Sequence, residues 1–200
     1  VHTPEYLDDL FAGRHTERTV RSEMRISHDI VAAFALGAGG TVLACRTAVR
    51  ERTFAMNLAG GFHHAFADWA EGFCYINDVA LGVHILRADG LVRRAMVVDC
   101  DLHQGNGTAE ILNSDRRVFL FSMHGEKNFP FRRTPSTLDI DLPDEAGDDL
   151  CLTATAGGLV AEAGADDRVG DRARFRAGDR TSVPERATAD VRFEQVVVQG

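Results

Sequence analysis

Several residue types are scarce in this chain of 200 residues, and each scarcity argues against a class of protein. Lysine occurs once, at Lys127, and 30 acidic residues outnumber 22 basic ones, for a formal net charge of −8. Sequence-independent binding to nucleic acid needs clustered bases that neutralise phosphates, so we expect no nucleic acid partner. The four cysteines include no Cys-x-x-Cys pair, which argues against a zinc ribbon or a disulfide framework.

Long apolar runs are missing as well. No apolar run approaches the roughly 20 residues that span a bilayer, and the first ten residues carry acids where a signal peptide carries bases. We therefore expect a cytoplasmic protein with no membrane partner. At 44% hydrophobic and 26% charged residues, the composition is that of one ordinary globular domain.

The hydrophobic pattern predicts an α/β protein. Apolar positions at helical spacing in residues 23–52 indicate two helices, separated by a break at Gly37 and Gly39-Gly40. Short apolar runs predict strands at residues 53–58, 95–98 and 118–121. Because these strands lack polar alternation and are separated by helices, we expect a parallel sheet with both faces covered.

Two more helices and a weakly patterned tail complete the predicted organisation. Asn77 or Asp78 is expected to cap a helix that ends near Asp89-Gly90, and a short helix is expected around residues 109–112. Periodicity is weak in residues 151–200, where strands are expected near 159–161 and 195–198 with no convincing helix between them.

Two carboxylates and an imidazole follow the strand predicted at 95–98. If the extended backbone continues, side chains two positions apart share a face, so Asp99, Asp101 and His103 project together. Burying them unpaired is too costly, so either a metal neutralises them or they bond to one another and to water. The glycines around Asn106 favour the metal, because they permit a tight backbone beside a cofactor.

Adjacent histidines are the second chemical signal. His63 and His64 follow Gly60-Gly61 at a predicted strand exit. Ligands of parallel α/β folds gather at the carboxyl ends of the strands, where this loop and the acidic loop are both expected. Together they suggest metal-assisted hydrolysis, in which a metal polarises a carbonyl and a water while a histidine removes the proton.

Three motifs in fixed order resemble the zinc-dependent histone deacetylase family. They are Gly-Gly-Phe-His-His-Ala at 60–65, Gly-Phe-Cys-Tyr-Ile-Asn-Asp-Val-Ala at 72–80 and Val-Asp-Cys-Asp-Leu-His-Gln-Gly-Asn-Gly-Thr at 98–108. The glutamine after His103 and the stretches 121–130 and 138–144 are similar to class IV and bacterial members. The resemblance implies the three-layer α/β fold of the arginase and deacetylase type, with residues 1–150 as the deacetylase-like catalytic part and 151–200 as a divergent or truncated part of the same domain.

The resemblance also implies a role for each polar residue of the motifs. Asp101 and His103 are expected to be ligands of zinc, with Fe²⁺ as the alternative metal. His64 is expected to be the general base that takes a proton from the attacking water. Its neighbour His63 is expected to stay protonated or hydrogen-bonded and to help stabilise the oxyanion.

The remaining implied roles concern orientation and substrate binding. Asp99 is expected to orient His63, and Asn106 is expected to face His64. Gly72 and Phe73 are expected to wall a narrow channel for an acyl-lysine side chain, with core packing as the alternative for Phe73. The family's structural monovalent cation site, which holds K⁺ in most members, is matched by Asp99, the Asp101 carbonyl, His103 and Ser122.

The sequence departs from the family pattern in two places. Asp166, in an Ala-Gly-x-Asp match, is the candidate third zinc ligand. The family inserts a helix and a strand after the segment that ends at Asp144, and the connection from Asp144 to Asp166 could close here but would lack the usual helix packing, so a solvated acid in a disordered tail is the alternative. The family's Gly-Gly-Tyr loop has no match, since the only tyrosines are Tyr6 and Tyr75. We expect a chain that is incomplete at both ends.

The function implied by the resemblance is zinc-dependent hydrolysis of the amide of an acetylated lysine, with release of acetate. Two alternatives stay open. One is an impaired or inactive remnant without the tyrosine, because the loss of one oxyanion donor typically lowers a rate by about 10²–10³. The other is deacetylation of acetylated polyamines or other small acetylated amines.

Overall fold

The computed structural model describes residues 1–163, 173–176 and 196–199, and its centre is a five-stranded sheet. The strands are β1 (Ala95–Asp99), β2 (Val118–Gly125), β3 (Leu138–Leu142), β4 (Ala173–Arg176) and β5 (Val196–Gln199). They lie in the order β4-β3-β2-β1-β5, and every neighbouring pair is parallel. The predicted parallel α/β sheet is confirmed.

Helices cover both faces of this sheet. The helices are α1 (Pro4–Phe11), α2 (His28–Glu51), α3 (Asp78–Ala88), α4 (Asn106–Leu112) and α5 (Asp148–Ala163), with a 3₁₀ turn at Val20–Ser22. On one face, Ala95 and Val97 of β1 pack with residues of α3 and α4. On the other face, Met96 and Val98 of β1 share a cluster with the first turns of α5. This alternation along β1 gives the three-layer arrangement of a doubly covered sheet.

Helix α2 is one continuous helix, so the predicted break at its glycines is wrong. Ser27 caps it by accepting a hydrogen bond from the Ile30 amide. A Cβ atom on Gly37 would lie 2.3 Å from the Ala59 carbonyl oxygen, and one on Gly40 would lie 2.8 Å from Asn57 Oδ1. These glycines therefore permit the following loop to pack against the helix and do not interrupt it.

Two predicted strands are absent from the described part of the chain. Residues 53–58 form a loop, and their alternate residues Phe54, Met56 and Leu58 are at least 82% exposed, because no described strand pairs with them. Residues 159–161 belong to α5. This helix has two acidic residues in its first turn and several alanines along its length, and both features favour a helix. The strand predicted at 195–198 is confirmed as β5 within one residue.

Helix α2 also corrects the expectation about apolar length. Its 24 residues have a mean hydropathy of 1.5 in the most apolar window, which makes it long and apolar enough to cross a bilayer by length and composition alone. A core helix of a folded domain passes the same test, so this single helix does not establish a membrane span. Part of α2 packs in the interior, where Cys45 contacts the cluster that contains Leu86 of α3.

The segment before α1 is fixed to the middle of the chain through a half-buried histidine. His2 Nδ1 donates to the Phe66 carbonyl at 2.9 Å, and His2 Nε2 accepts from the Asn77 amide at 3.0 Å. The second bond needs an unprotonated Nε2. Burial is the main reason that the pKa of His2 falls to about 4.

Candidate active site

The polar residues of the predicted site gather where β1 ends. Asp99 is the last residue of β1 and is paired in register with Ser122 of β2 and Gln199 of β5. Because β1 lies between these two strands, Asp99 projects from the interior of the sheet and not from its edge. This is the carboxyl end at which parallel α/β folds bind ligands.

A compact turn, not an extended strand, brings the acidic residues together. The strand stops at Asp99, which corrects the expectation of continued alternation. Asp99 Oδ1 accepts from the Asp101 amide at 3.0 Å, and Asp101 Oδ1 accepts from the His103 amide at 2.7 Å. Such side-chain bonds to a backbone amide two residues on are typical of Asx turns. The sequence pattern predicted correctly that Asp99, Asp101 and His103 lie together, but the backbone that joins them is a turn and not an extended strand.

The first of the two adjacent imidazoles is paired with a carboxylate. His63 Nδ1 lies 2.7 Å from Asp99 Oδ2, and both side chains are buried. Burial by itself lowers the pKa of His63, but the hydrogen bond to Asp99 and the charges of Asp99 and Asp101 outweigh it and raise the pKa. His63 is therefore the imidazole that holds a proton more strongly than usual.

The second imidazole is paired with an amide. His64 Nδ1 lies 2.8 Å from Asn106 Oδ1, and the two imidazole centroids of His63 and His64 are 4.1 Å apart. Burial and the neighbouring His63 lower the pKa of His64 to about 4. Because the Asn106 oxygen only accepts, His64 carries its proton on Nδ1 and leaves Nε2 as an acceptor.

A buried carboxylate holds the loop that carries both histidines. Asp78, at the start of α3, accepts from the amides of Gly61 and Phe62 and from the Thr41 hydroxyl. Its neighbour Asn77 is the residue that caps α3, through a bond from the Ala80 amide. Of the two predicted cap residues, Asn77 therefore caps the helix, whereas Asp78 orders the loop before His63.

Two of the predicted metal ligands lie close enough to each other to share one ion. Asp101 Oδ1 and His103 Nδ1 are 3.2 Å apart, and both side chains are partly exposed. Two donors on one tetrahedral Zn²⁺ are separated by about 3.3 Å, so this carboxylate and imidazole fit zinc. The third predicted ligand, Asp166, lies outside the described residues. Among the residues that are described, no three His, Cys, Asp or Glu side chains come together as a metal site.

A tight turn and an aromatic ring border the His64 imidazole. Gly72 and Phe73 both have positive φ, +51° and +62°, and form a two-residue turn between Glu71 and Cys74. A Cβ atom on Gly72 would lie 2.6 Å from His64 Cδ2, so only glycine permits this approach. Phe73 is 60% exposed, which rules out core packing as its role. The ring of Phe129 lies 5.0 Å from that of His64.

The four residues of the predicted monovalent cation site, Asp99, Asp101, His103 and Ser122, all lie in the described part of the chain. Ser122 Oγ lies 2.9 Å from His124 Nδ1, and both residues are buried beside the end of β1. The Asp99 carboxylate is engaged by His63 and by the Asp101 amide. The K⁺ site stays a prediction.

The sequence reasoning missed several residues that shape the site. Phe129 lies in the stretch 121–130, whose pattern indicates the family and gives no role to this ring. Gln104 donates through Nε2 to the Thr134 carbonyl at 2.8 Å and to Asp139 Oδ1 at 2.9 Å, and so fastens the segment that follows Phe129. Asp78 was considered only as a helix cap. No periodicity reports such contacts, because they join distant parts of the chain.

The fold and the site together define a three-layer α/β protein of the arginase and deacetylase type. A family model of the histone deacetylase domain matches residues 1–168. The chain belongs to the histone deacetylase family.

Individual relatives support this assignment. An uncharacterized protein of Picosynechococcus sp. is 38% identical over 185 residues, which cover 86% of this chain and 61% of that protein. Histone deacetylase 2 of Arabidopsis thaliana is 33% identical over 66% of this chain and 35% of its own length. The crystal structure of an HDAC homolog from Aquifex aeolicus superposes with a TM-score of 0.72 at 27% identity, over 88% of this chain and 52% of that one. The chain thus spans from about a third to three fifths of the length of these relatives.

Proposed function

We propose that the protein hydrolyses the amide of an acetylated lysine and releases acetate. The observation that carries this proposal is the unlike pairing of two adjacent imidazoles. His63 bonds to a carboxylate at 2.7 Å, whereas His64 bonds to a neutral amide oxygen at 2.8 Å. A carboxylate favours a protonated imidazole and an amide oxygen does not, so one site contains both a proton-bearing and a proton-accepting group.

In the proposed mechanism each imidazole has one task. Asp101 and His103 would hold zinc, which when bound polarises the acetyl carbonyl and the attacking water. His64 Nε2 takes a proton from that water as its oxygen attacks the carbonyl carbon. The protonated His63, anchored by Asp99, lies beside the developing oxyanion and stabilises its charge. The C–N bond then breaks, the amine leaves with the proton from His64, and acetate is the other product.

The surroundings of His64 are compatible with an acyl-lysine side chain. The backbone at Gly72 and the ring of Phe129 border the imidazole closely, and the exposed Phe73 stands at the outer side of the same turn. Such apolar walls suit a straight methylene chain. A small acetylated amine has the same chain, so the two substrate classes share this chemistry. A solved HDAC homolog complexed with SAHA, with a TM-score of 0.73 at 28% identity, supports ligand binding by this fold.

The tyrosines favour a slow enzyme as the second candidate. The Tyr6 hydroxyl donates to the Tyr75 carbonyl at 2.7 Å, and the Tyr75 hydroxyl donates to the Met24 carbonyl at 2.9 Å. Tyr6 and Tyr75 are the only tyrosines among these 200 residues, so within them no tyrosine hydroxyl is available to the substrate carbonyl. The missing donor predicts a rate about 10²–10³ below that of an enzyme that has one.

The test is acetate release from an acetyl-lysine peptide and from an acetylated polyamine, with added Zn²⁺ or Fe²⁺. His64→Ala is expected to abolish release, whereas His84→Ala, which removes an exposed histidine of α3, is the matched control and is expected to leave it intact. Release that is equal in His64→Ala and the parent would remove His64 from the mechanism. Release only from the polyamine would transfer the proposal to small amines.

A further inference from the structure

Glu71 joins the turn beside His64 to the residue behind His64. Its backbone forms the bridge that closes the turn, with the Cys74 amide donating to the Glu71 carbonyl at 2.9 Å and the Glu71 amide donating to the Cys74 carbonyl at 3.3 Å. The Phe73 amide inside the turn donates to the Ser22 carbonyl at 3.0 Å. The position of Glu71 is therefore fixed by its backbone, independently of its side chain.

The Glu71 side chain points at Asn106. Asn106 Nδ2 donates to Glu71 Oε2 at 3.2 Å and to the Arg132 carbonyl at 3.4 Å. The other end of the same amide, Oδ1, lies 2.8 Å from His64 Nδ1 and also accepts from the Gly107 amide at 3.0 Å. Both acceptors thus lie on the nitrogen side of the amide and both donors lie on its oxygen side, so the amide has one satisfied orientation.

We propose that Glu71 is a positioning residue that fixes the Asn106 amide and, through it, the tautomer of His64. With the amide nitrogen held by Glu71, the oxygen faces His64 Nδ1–H and Nε2 stays bare. If the amide turned over, its nitrogen would face His64 Nδ1, which would then have to accept, and the proton would move to Nε2. This inference rests on the proposed function only where activity is the readout, because the tautomer is a property of the protein itself.

The arrangement explains why an amide stands at position 106. An aspartate there would still accept from His64, but its second oxygen would face the Glu71 carboxylate at hydrogen-bond distance without a proton between them. Like charges at this separation repel strongly in a part-buried site. Glu71 and Asn106 are therefore a matched pair: a carboxylate at position 71 requires a side chain that donates a hydrogen bond at position 106.

The pair can be tested by exchanging its charge. Asn106→Asp is expected to lower kcat for acetate release by about 10- to 100-fold, as the loss of a group that orients a reacting side chain does. Adding Glu71→Gln supplies a donor to the new carboxylate, and the double variant is expected to recover to within about fivefold of the parent. Asn106→Asp combined with Glu110→Gln is the matched control, because it removes the same charge from an exposed position of α4. The control is expected to show no recovery.

A second readout keeps the inference testable if no substrate is turned over. Long-range ¹H–¹⁵N spectra of the ¹⁵N-histidine-labelled protein at neutral pH report which ring nitrogen of His64 carries the proton. We expect the Nδ1–H form in the parent and in Glu71→Gln. In Glu71→Met the Arg132 carbonyl and the Gly107 amide still favour the parent orientation of the Asn106 amide, so we expect the Nδ1–H form together with a measurable minor share of the Nε2–H form. A parent-like His64 signal in Glu71→Met, or an Asn106→Asp variant that Glu71→Gln does not rescue although it folds, would overturn the proposal. Absence of acetate release in the parent with the expected spectra would contradict the proposed function and support the role of Glu71.

Discussion

Adding one methyl group at Gly105 should break the bond between His63 and Asp99. A Cβ atom on Gly105 would lie 2.4 Å from Asp99 Oδ2 and 3.1 Å from His63 Nδ1, the two atoms that form this bond. A hydrogen bond to a charged group contributes about 1.5–3 kcal/mol, and an inserted methyl in a packed site adds about 1–3 kcal/mol of strain. We expect Gly105→Ala to lower the free energy of unfolding by about 3 kcal/mol.

Urea unfolding of Gly105→Ala and the parent measures this difference. Gly39→Ala is the control, because Gly39 lies in the exposed side of α2 with no atom within 4 Å of the new Cβ. There alanine should stabilise the helix by roughly 0.5–1 kcal/mol. If Gly105→Ala unfolds at the parent urea concentration and releases acetate at the parent rate, the bond between His63 and Asp99 is not what orders the site.

Three further predictions concern pH, the histidine loop and the metal. The pKa of His2 is about 4 in the folded protein and 6.5 in the unfolded chain. Neutral His2 therefore contributes about 3 kcal/mol to the free energy of unfolding, and this contribution is complete above pH 6.5 and is lost as the pH falls toward 4. The free energy of unfolding should fall less over this pH window in His2→Phe than in the parent. Asp78→Ala should destabilise the fold by about 3 kcal/mol in thermal melts, because it leaves buried donors unpaired. The control Asp89→Ala removes one partner of an exposed ion pair and should change the stability by less than about 1 kcal/mol. After dialysis the chain should retain about one zinc per molecule by metal analysis, and Asp166→Ala should lose it; retention in Asp166→Ala would exclude that residue as a ligand.

Strands β1 and β2 could be predicted from the sequence because their predicted runs, 95–98 and 118–121, are apolar on both faces, whereas β3 and β4 alternate apolar with charged residues and were not predicted. Met96 and Val97 are both buried, on opposite sides of β1, which is the pattern of a covered parallel strand. The same rule failed at residues 53–58. An apolar run specifies burial only if a neighbouring strand exists to pair with it, and the run itself carries no information about that neighbour.

The glycines of α2 show the opposite failure. The low helix propensity of glycine predicts a helix break at Gly37 and Gly40. In the fold they are contact points at which the loop after α2 approaches the helix backbone. The energy of that contact comes from residues about 20 positions away, so it outweighs a local propensity that the sequence does display.

The candidate site residues could be predicted because burying a charged or polar side chain costs free energy unless it has a partner. Asp99, Asp101 and His103 lie at the end of β1, as predicted, whereas His63 and His64 lie in a loop that no strand precedes. The sequence nevertheless predicted that the two groups meet. The residues that set their orientation could not be found in this way. Such supports are ordinary side chains in the sequence, and only the tertiary structure shows that they face the site.

The left-handed conformation of Phe73 has a consequence for stability as well as for the site. A bulky residue with a φ of +62° carries backbone strain of about 1–3 kcal/mol, which glycine would not. Phe73→Gly should therefore raise the melting temperature while it removes the aromatic ring from the mouth of the approach to His64. Folding alone would select glycine at this position. Under the proposed function, the phenylalanine trades stability for substrate recognition, so position 73 is where a more stable variant is expected to be the poorer enzyme.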